Sequence, residues 1–298
     1  MWFKPDSTAN ETLLRFARGW GDKSGRLGVG VQKSIEALLR FQLGRRLVLW
    51  LHWLSVRPWV GTVQFGDLRK LAPISRYFGF DRGLPVDRYY VERFLSAHAK
   101  DIRGNVLEIG DDRYTRKFGG DRVSRSDVLH AVEGNPQATI VADLARADNL
   151  QSNTFDCIIL TQTLQYIYDV HAAVRTLHRI LRPEGVLLAT LPGISQTSWR
   201  DMDRWGEYWR FTNLSTRRLF EEVFSKNHVE VEPFGNVLAA IAFLHGIAAE
   251  ELRPEELEHR DPDYEVTLAV RARKVGASSV EGGSLERGRI APMTGNKE

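Results

Sequence analysis

Four short segments between residues 105 and 165 have the pattern of β-strands, and they constrain the fold of this 298-residue chain most strongly. The segments are residues 105–110, 122–127, 139–143 and 155–160, and the last one continues into a polar stretch that ends at residue 165. Acidic side chains recur in or at the ends of these segments, at Glu108, Asp127 and Asp143. Because carboxylates accept hydrogen bonds, this recurrence indicates a ligand that carries hydroxyl groups and an amine.

Helical and strand patterns alternate around this stretch. An amphipathic segment at residues 170–181 is stopped by a proline and a glycine, and a buried strand follows at residues 186–191. A helix that begins near Asp87 precedes the first strand. The alternation predicts a parallel sheet with helices on both faces, whose ligands bind at the carboxyl ends of the strands.

The chain is predicted to have three parts. Residues 1–86 form an N-terminal helical extension and a loop-rich connection, residues 87–273 form the α/β domain, and residues 274–298 form a disordered tail. Within the domain, residues 229–232 and 265–270 are predicted strands that close the sheet as an antiparallel pair.

The charge balance does not call for a nucleic-acid partner. The 41 lysine and arginine residues are interspersed with 38 acidic residues, and the formal net charge is +3. We therefore expect no nucleic-acid binding. The single cysteine, Cys157, excludes an intrachain disulfide and a multi-cysteine metal site, and no metal site is predicted.

The beginning of the chain lacks the pattern of a signal peptide, which indicates a cytoplasmic protein. An apolar, tryptophan-rich segment at residues 47–56 is flanked by arginines. It is too short to span a bilayer, which requires about 20 apolar residues. A buried helix, a protein contact and a peripheral membrane contact through residues 45–60 remain open interpretations.

Two sequence motifs carry a resemblance to a known family. VLEIG at residues 106–110 and LRPEG at residues 181–185 are similar to motifs of the class I S-adenosylmethionine-dependent methyltransferases, in particular the type 11 domain. The resemblance covers about residues 87–273. It implies a Rossmann-like three-layer sandwich with a mostly parallel seven-stranded sheet, and S-adenosyl-L-methionine as the cofactor.

The resemblance also implies roles for particular residues. Glu108 would help to hold the amino group of the methionine moiety, and Gly110 would let the backbone approach the cofactor closely. Asp127 would accept hydrogen bonds from the ribose hydroxyls. Asp143 and the following Leu144 would lie near the adenine. Gln165, in the stretch LQY at residues 164–166, would border the cofactor.

The glycine loop departs from the pattern of the family. Where the family continues Gly-x-Gly-x-Gly, this chain has Gly110 followed by DDRYT at residues 111–115, so that Asp112 and Tyr114 stand in the places of the second and third glycines. This favours an alternative hypothesis, a non-catalytic methyltransferase-like module for binding or assembly. A nucleotide-sugar or dinucleotide enzyme is disfavoured because the chain lacks Gly-x-Gly-x-x-Gly.

The predicted function is an S-adenosylmethionine-dependent methyltransferase that acts on a small molecule or a glycan precursor. An irregular aromatic stretch at residues 194–212 is expected to line an acceptor pocket or to cover the core. Transfer to an oxygen would need a group that accepts a proton. The candidates for this role are His130, Tyr166, Asp201 and Tyr208.

Overall fold

The computed structural model describes residues 61–276. Residues 61–69 belong to one compact unit and contain a single 3₁₀ turn, Gly66–Leu68, while residues 70–276 belong to a second unit. The predicted N-terminal helical extension up to residue 60, the 45–60 contact segment and the tail from residue 277 lie outside the described residues.

The second unit contains a mixed seven-stranded sheet with the order β3-β2-β1-β4-β5-β7-β6. Its strands are β1 (Gly104–Ile109), β2 (Val123–His130), β3 (Ile140–Val141), β4 (Phe155–Thr161), β5 (Leu181–Pro192), β6 (Val229–Phe234) and β7 (Thr267–Arg273). The pairs among β1 to β5 are parallel, whereas β7 runs antiparallel to both β5 and β6. This is an α/β, Rossmann-like sheet with one reversed strand, and the predicted antiparallel pairing of the last two strands is confirmed.

Helices cover both faces of the sheet. They are α1 (Val86–Ala97), α2 (Val170–Ile180), α3 (Trp199–Trp205), α4 (Asn213–Glu221), α5 (Val237–His245) and α6 (Pro254–Glu258). Strand residues alternate between two buried clusters, as the twofold repeat of a strand requires. Leu107 and Ile158 pack with the apolar side of α2, whereas Val106 and Ile159 pack with α1 and α5 on the opposite face.

Residues outside the predicted domain boundaries also contact the sheet-bearing unit. The compact unit begins at Lys70, ahead of the predicted boundary at Asp87. The backbone amides of Ile74 and Ser75 donate to the carbonyl of His245 at 2.9 and 3.0 Å. At the other end, the Lys274 ammonium donates to the Leu181 carbonyl at 2.8 Å.

The segment 194–212, which was predicted to be irregular, contains the helix α3. Ser198 caps its first turn by accepting from the amide of Asp201 at 3.3 Å, and Gly206 ends it with a φ of +77°. Serine before a helix and glycine after it are ordinary start and stop residues. The prediction of an irregular segment gave more weight to the many aromatic residues than to these two signals.

Within residues 61–276, no helix has the length and apolar character needed to cross a bilayer. The same part of the chain holds no cluster of histidine, cysteine and carboxylate side chains suited to a metal ion.

Candidate functional site

A cavity of about 560 Å³ opens at the carboxyl ends of β1, β2, β3 and β4, and we call it the strand-end cavity. Its wall includes Gly110 after β1, His130 at the end of β2, Asp143 and Leu144 after β3, and Gln162 after β4. Its volume lies within the range of small-molecule sites, and it occupies the edge of the sheet where α/β folds bind ligands. The predicted placement of a ligand at the strand ends therefore coincides with a cavity in the structure.

Gly110 lines the strand-end cavity and leaves open space beside its backbone. Its φ is +93°, a conformation that side chains with a Cβ rarely adopt, and a Cβ built there would meet no atom within 4 Å. Two hydrogen bonds fix the peptide in place: the amide of Gly110 donates to Leu129 at 2.9 Å, and Asn135 donates to the carbonyl of Gly110 at 2.6 Å. The backbone at Gly110 therefore leaves space for a close ligand.

Glu108 is buried below the glycine loop and is bound by the loop itself. Its two carboxylate oxygens accept the backbone amides of Tyr114 at 3.1 Å and Thr115 at 2.7 Å. The residue is 2 % exposed, and burial raises the pKa of the carboxyl to about 7 against the opposing effect of these amides. Glu108 does not line the strand-end cavity.

Tyr114 does not obstruct the cavity, although it stands where the family has glycine. Its ring is buried in the core and stacks on Phe118 with centroids 6.2 Å apart. The loop continues as a π-helical turn, Thr115–Gly119. The glycine loop is thus replaced by a turn whose first backbone amides, those of Tyr114 and Thr115, donate to the Glu108 carboxylate.

Asp127 lies in the interior of β2, because the strand continues three residues further to His130. Its carboxylate is 4 % exposed as a residue and accepts from Arg125 at 2.8 Å and from the Thr139 hydroxyl at 2.9 Å. The structure does not bring Asp127 to the cavity wall, where His130 stands at the strand end instead.

Asp143 and Leu144 do lie together in the cavity wall. One oxygen of Asp143 accepts from the amide of Ala145 at 2.9 Å, and the side chain is exposed towards the cavity side of the loop. Leu144 is 3 % exposed and supplies an apolar surface. An apolar wall beside a carboxylate suits a flat ring that carries an amine.

A second cavity of about 510 Å³ adjoins the first, and we call it the charged cavity. Gln162 and Tyr166 line both cavities, so these two residues mark the junction between them. The remaining polar lining of the charged cavity comes from well-separated parts of the chain: Arg76, Asp81, Asp87, Arg88, Gln165, Ser195, Ser198, Arg200, Asp201 and Glu207. Gln165, which was predicted to border the cofactor, is buried and belongs to this second cavity.

The structure brings two of the four proton-accepting candidates together. The Tyr166 hydroxyl donates to the Asp201 carboxylate at 3.2 Å in the charged cavity, and burial, followed by the nearby Asp201 charge, raises the pKa of Tyr166. His130 and Tyr208 instead line the strand-end cavity. The imidazole Nδ1 of His130 lies 2.7 Å from the carbonyl of Val132.

The aromatic stretch contributes to both cavities and to the core. Trp199 lines the charged cavity, whereas Trp205 and Tyr208 line the strand-end cavity. Phe211 is buried in the core. Arg210 binds Glu207 at 2.8 Å and also backbone carbonyls, so that its guanidinium holds the loop in shape.

Sequence reasoning missed Arg88 and Gln162, and it treated Asp87 only as a helix cap. The sequence contained one usable signal, since a charged pair opens an otherwise amphipathic helix. Gln162 has a φ of +46°, which no pattern in the sequence indicates. It is the fold that places these three residues around one cavity.

Comparison with known proteins gives a family match for part of the chain. Residues 97–189 match the family model described as a methyltransferase domain. This segment contains β1, β2, β3 and β4 and most of β5, and it supplies most of the strand-end cavity. No curated protein matches the sequence.

Solved structures with a similar chain path include three methyltransferases. An S-adenosylmethionine-dependent methyltransferase from Mesorhizobium loti is 19% identical, with 66% of this chain and 100% of that chain covered at a TM-score of 0.42. A SAM-dependent methyltransferase from Archaeoglobus fulgidus is 13% identical, with 67% and 95% covered and a TM-score of 0.41. Phosphoethanolamine N-methyltransferase 2 from Haemonchus contortus, in complex with S-adenosyl-L-methionine, is 14% identical, with 72% and 61% covered and a TM-score of 0.46.

The family match falls on the strands that form the strand-end cavity, and it agrees with the motifs at residues 106–110 and 181–185. Residues 97–189 are therefore similar to a methyltransferase domain.

Proposed function

We propose that the protein is an S-adenosylmethionine-dependent methyltransferase that acts on a small molecule or a glycan precursor. The observation that carries this proposal is the pair of adjoining cavities that meet at Gln162 and Tyr166. Methyl transfer needs a donor site and an acceptor site that open on each other, because the acceptor atom must approach the methyl group in line.

The residues of the strand-end cavity fit the nucleoside part of the cofactor. The position of Gly110 leaves open space that a Cβ would enter, Leu144 supplies an apolar wall, and Asp143 supplies an acceptor. When bound, the cofactor would supply an electrophilic methyl group on a sulfonium. The chain's own contribution is to position both reactants and to keep water away from the junction.

Tyr166 and Asp201 are the proposed pair for handling a proton. The Tyr166 hydroxyl donates to Asp201, and both side chains lie in the charged cavity next to the junction. In this proposal Asp201 accepts the proton that an oxygen acceptor releases, and Tyr166 orients its carboxylate. In the same cavity the Arg200 guanidinium lies over the rings of Tyr77 and Trp199, 4.7 and 5.3 Å from their centroids, so this side offers the acceptor a planar cation held between two aromatic residues.

One observation favours a second candidate function, a non-catalytic module with a methyltransferase fold. Both oxygens of Glu108, which the resemblance assigns to the methionine moiety, are already bound by the amides of Tyr114 and Thr115. A module of this kind would use the charged cavity to bind a ligand without methyl transfer. Cofactor binding separates the two candidates. The cytoplasmic location stays a prediction.

Binding of S-adenosylhomocysteine, measured by isothermal titration calorimetry, tests the proposal. We expect one site per chain in the wild type and about tenfold weaker binding in Asp143→Asn, because this change removes one charged acceptor while it keeps the oxygen that caps Ala145. The matched control is Asp148→Asn, which changes an exposed carboxylate of the same loop outside the cavity lining. A wild-type protein that binds no S-adenosylhomocysteine at about 1 mM would contradict the methyltransferase proposal.

A further inference from the structure

We propose that Asp87 and Arg88, at the start of α1, bind the amino-acid end of the cofactor, in place of the glycine loop and Glu108. The inference rests on the proposed function, because it concerns the same cofactor. It assigns the nucleoside to the strand-end cavity and the methionine moiety to the part of the charged cavity that Asp87 and Arg88 line, and it leaves the part with Trp199 and Asp201 to the acceptor.

Asp87 and Arg88 line the charged cavity, and each carries one buried polar atom that has no hydrogen-bond partner in the described chain. Among residues 61–276, neither the Oδ1 atom of Asp87 nor the Nε atom of Arg88 has a hydrogen-bond partner, and both atoms are buried. The two side chains form an ion pair, but Arg88 Nε and Asp87 Oδ2 are 3.9 Å apart, which is too far for a hydrogen bond. Buried polar atoms that lack a hydrogen bond are costly, so an arrangement of this kind is typical of a ligand site.

The two glutamines of the same cavity repeat this pattern. Gln162 Nε2, a donor, and Gln165 Oε1, an acceptor, are also buried and lack a hydrogen-bond partner within the described chain. These two glutamines, Asp87 and Arg88 together present one cation, one anion, one neutral donor and one neutral acceptor. An α-amino acid group is the complementary ligand, because it carries an ammonium and a carboxylate on one carbon atom.

Tyr114 explains why this site lies on α1 rather than on the glycine loop. The Tyr114 ring is buried, its hydroxyl faces the Arg88 guanidinium, and the nearby Arg88 charge opposes the rise that burial causes in the Tyr114 pKa. Tyr114, which stands in the place of the third glycine, therefore helps to position the Arg88 guanidinium. Glu108, whose oxygens bind the amides of Tyr114 and Thr115, holds this arrangement together.

The test compares two ligands that differ only in the amino-acid end. S-adenosylhomocysteine carries it, and 5′-methylthioadenosine lacks it. In calorimetry we expect Asp87→Asn and Arg88→Gln to weaken S-adenosylhomocysteine about 10- to 100-fold, and to change the affinity for 5′-methylthioadenosine by less than about twofold. Equal losses for both ligands, or no loss for S-adenosylhomocysteine, would overturn the inference.

Matched controls separate this site from general effects of charge. Arg93→Gln, on the same helix, and Asp121→Asn change exposed charges outside both cavity linings and are expected to leave both affinities unchanged. A control that weakens S-adenosylhomocysteine as much as the site variants would also overturn the inference. Arg88→Lys keeps the charge but not the planar guanidinium, and it replaces Arg88→Gln in the test if that variant does not fold. We expect Arg88→Lys to lower the affinity for S-adenosylhomocysteine and not the affinity for 5′-methylthioadenosine.

The outcome also distinguishes this inference from the proposed function. If the wild type binds 5′-methylthioadenosine and S-adenosylhomocysteine but the site variants do not discriminate between them, the inference fails and the proposed function stands. If the wild type binds neither ligand, both fail.

Discussion

Gly110→Val is expected to weaken S-adenosylhomocysteine binding at least about 100-fold. Gly110 ends β1 at the floor of the strand-end cavity with a φ of +93°, and a Cβ there would enter open space. Two branched methyl groups at that point would occupy the volume proposed for the cofactor. The substitution also forces valine into a conformation that β-branched residues avoid, which costs roughly 1–3 kcal/mol of folding stability.

Gly134→Val is the matched control for the effect of the backbone. Gly134 has a φ of +103° and open space around a built Cβ, but it lies in an exposed loop outside the cavity lining. Both variants should lose similar thermal stability, while only Gly110→Val should lose binding in calorimetry. Similar affinities in the two variants would place the cofactor somewhere other than against Gly110.

The sheet could be predicted from the sequence because its strands are short apolar runs that end at glycine, proline or polar residues. VLEIG at residues 106–110, residues 155–160 and residues 186–191 all correspond to observed strands. The end of β2 could not be predicted in this way. The sequence after Asp127 remains compatible with a strand, and the expectation of an acid at the strand end placed that end three residues too early.

The direction of a side chain in a loop was the main obstacle to predicting the site. Tyr114 stands in the place of a glycine, and the sequence alone does not reveal whether its ring fills the cavity or the core. The structure turns the ring into the core because Glu108 binds the loop amides from below. Asp87 and Arg88 reach the site only through the packing of α1 on the sheet, which brings them into the lining of one cavity with Gln162, more than 70 positions away in the sequence.

The same buried carboxyl makes the stability of the fold depend on pH. The pKa of Glu108 in the folded protein is raised to about 7 from its ordinary 4.5, chiefly by burial. Between these two values the folded chain binds this proton more tightly than the unfolded chain does. Because stability falls with pH wherever the folded state binds more protons, ionisation of Glu108 lowers the free energy of unfolding as the pH rises from 4.5 to 7.

Glu108→Gln removes this titration and keeps the shape of the side chain. We expect the free energy of unfolding of the wild type, relative to Glu108→Gln, to fall by about 2 to 3 kcal/mol between about pH 5 and about pH 8. Urea unfolding of both proteins at each pH measures this difference, and other titrating groups cancel because both proteins contain them. Glu133→Gln, an isosteric change at an exposed residue, reports the background.

A difference that stays constant from about pH 5 to about pH 8 would contradict the expected result. It would mean that the amides of Tyr114 and Thr115 offset the burial of the carboxylate fully, so that Glu108 is charged throughout this range. A falling difference would instead show that the loop is held by a carboxyl whose ionisation is costly. That outcome would also couple cofactor binding to pH, since the turn that Glu108 caps carries Tyr114, and Tyr114 supports Arg88.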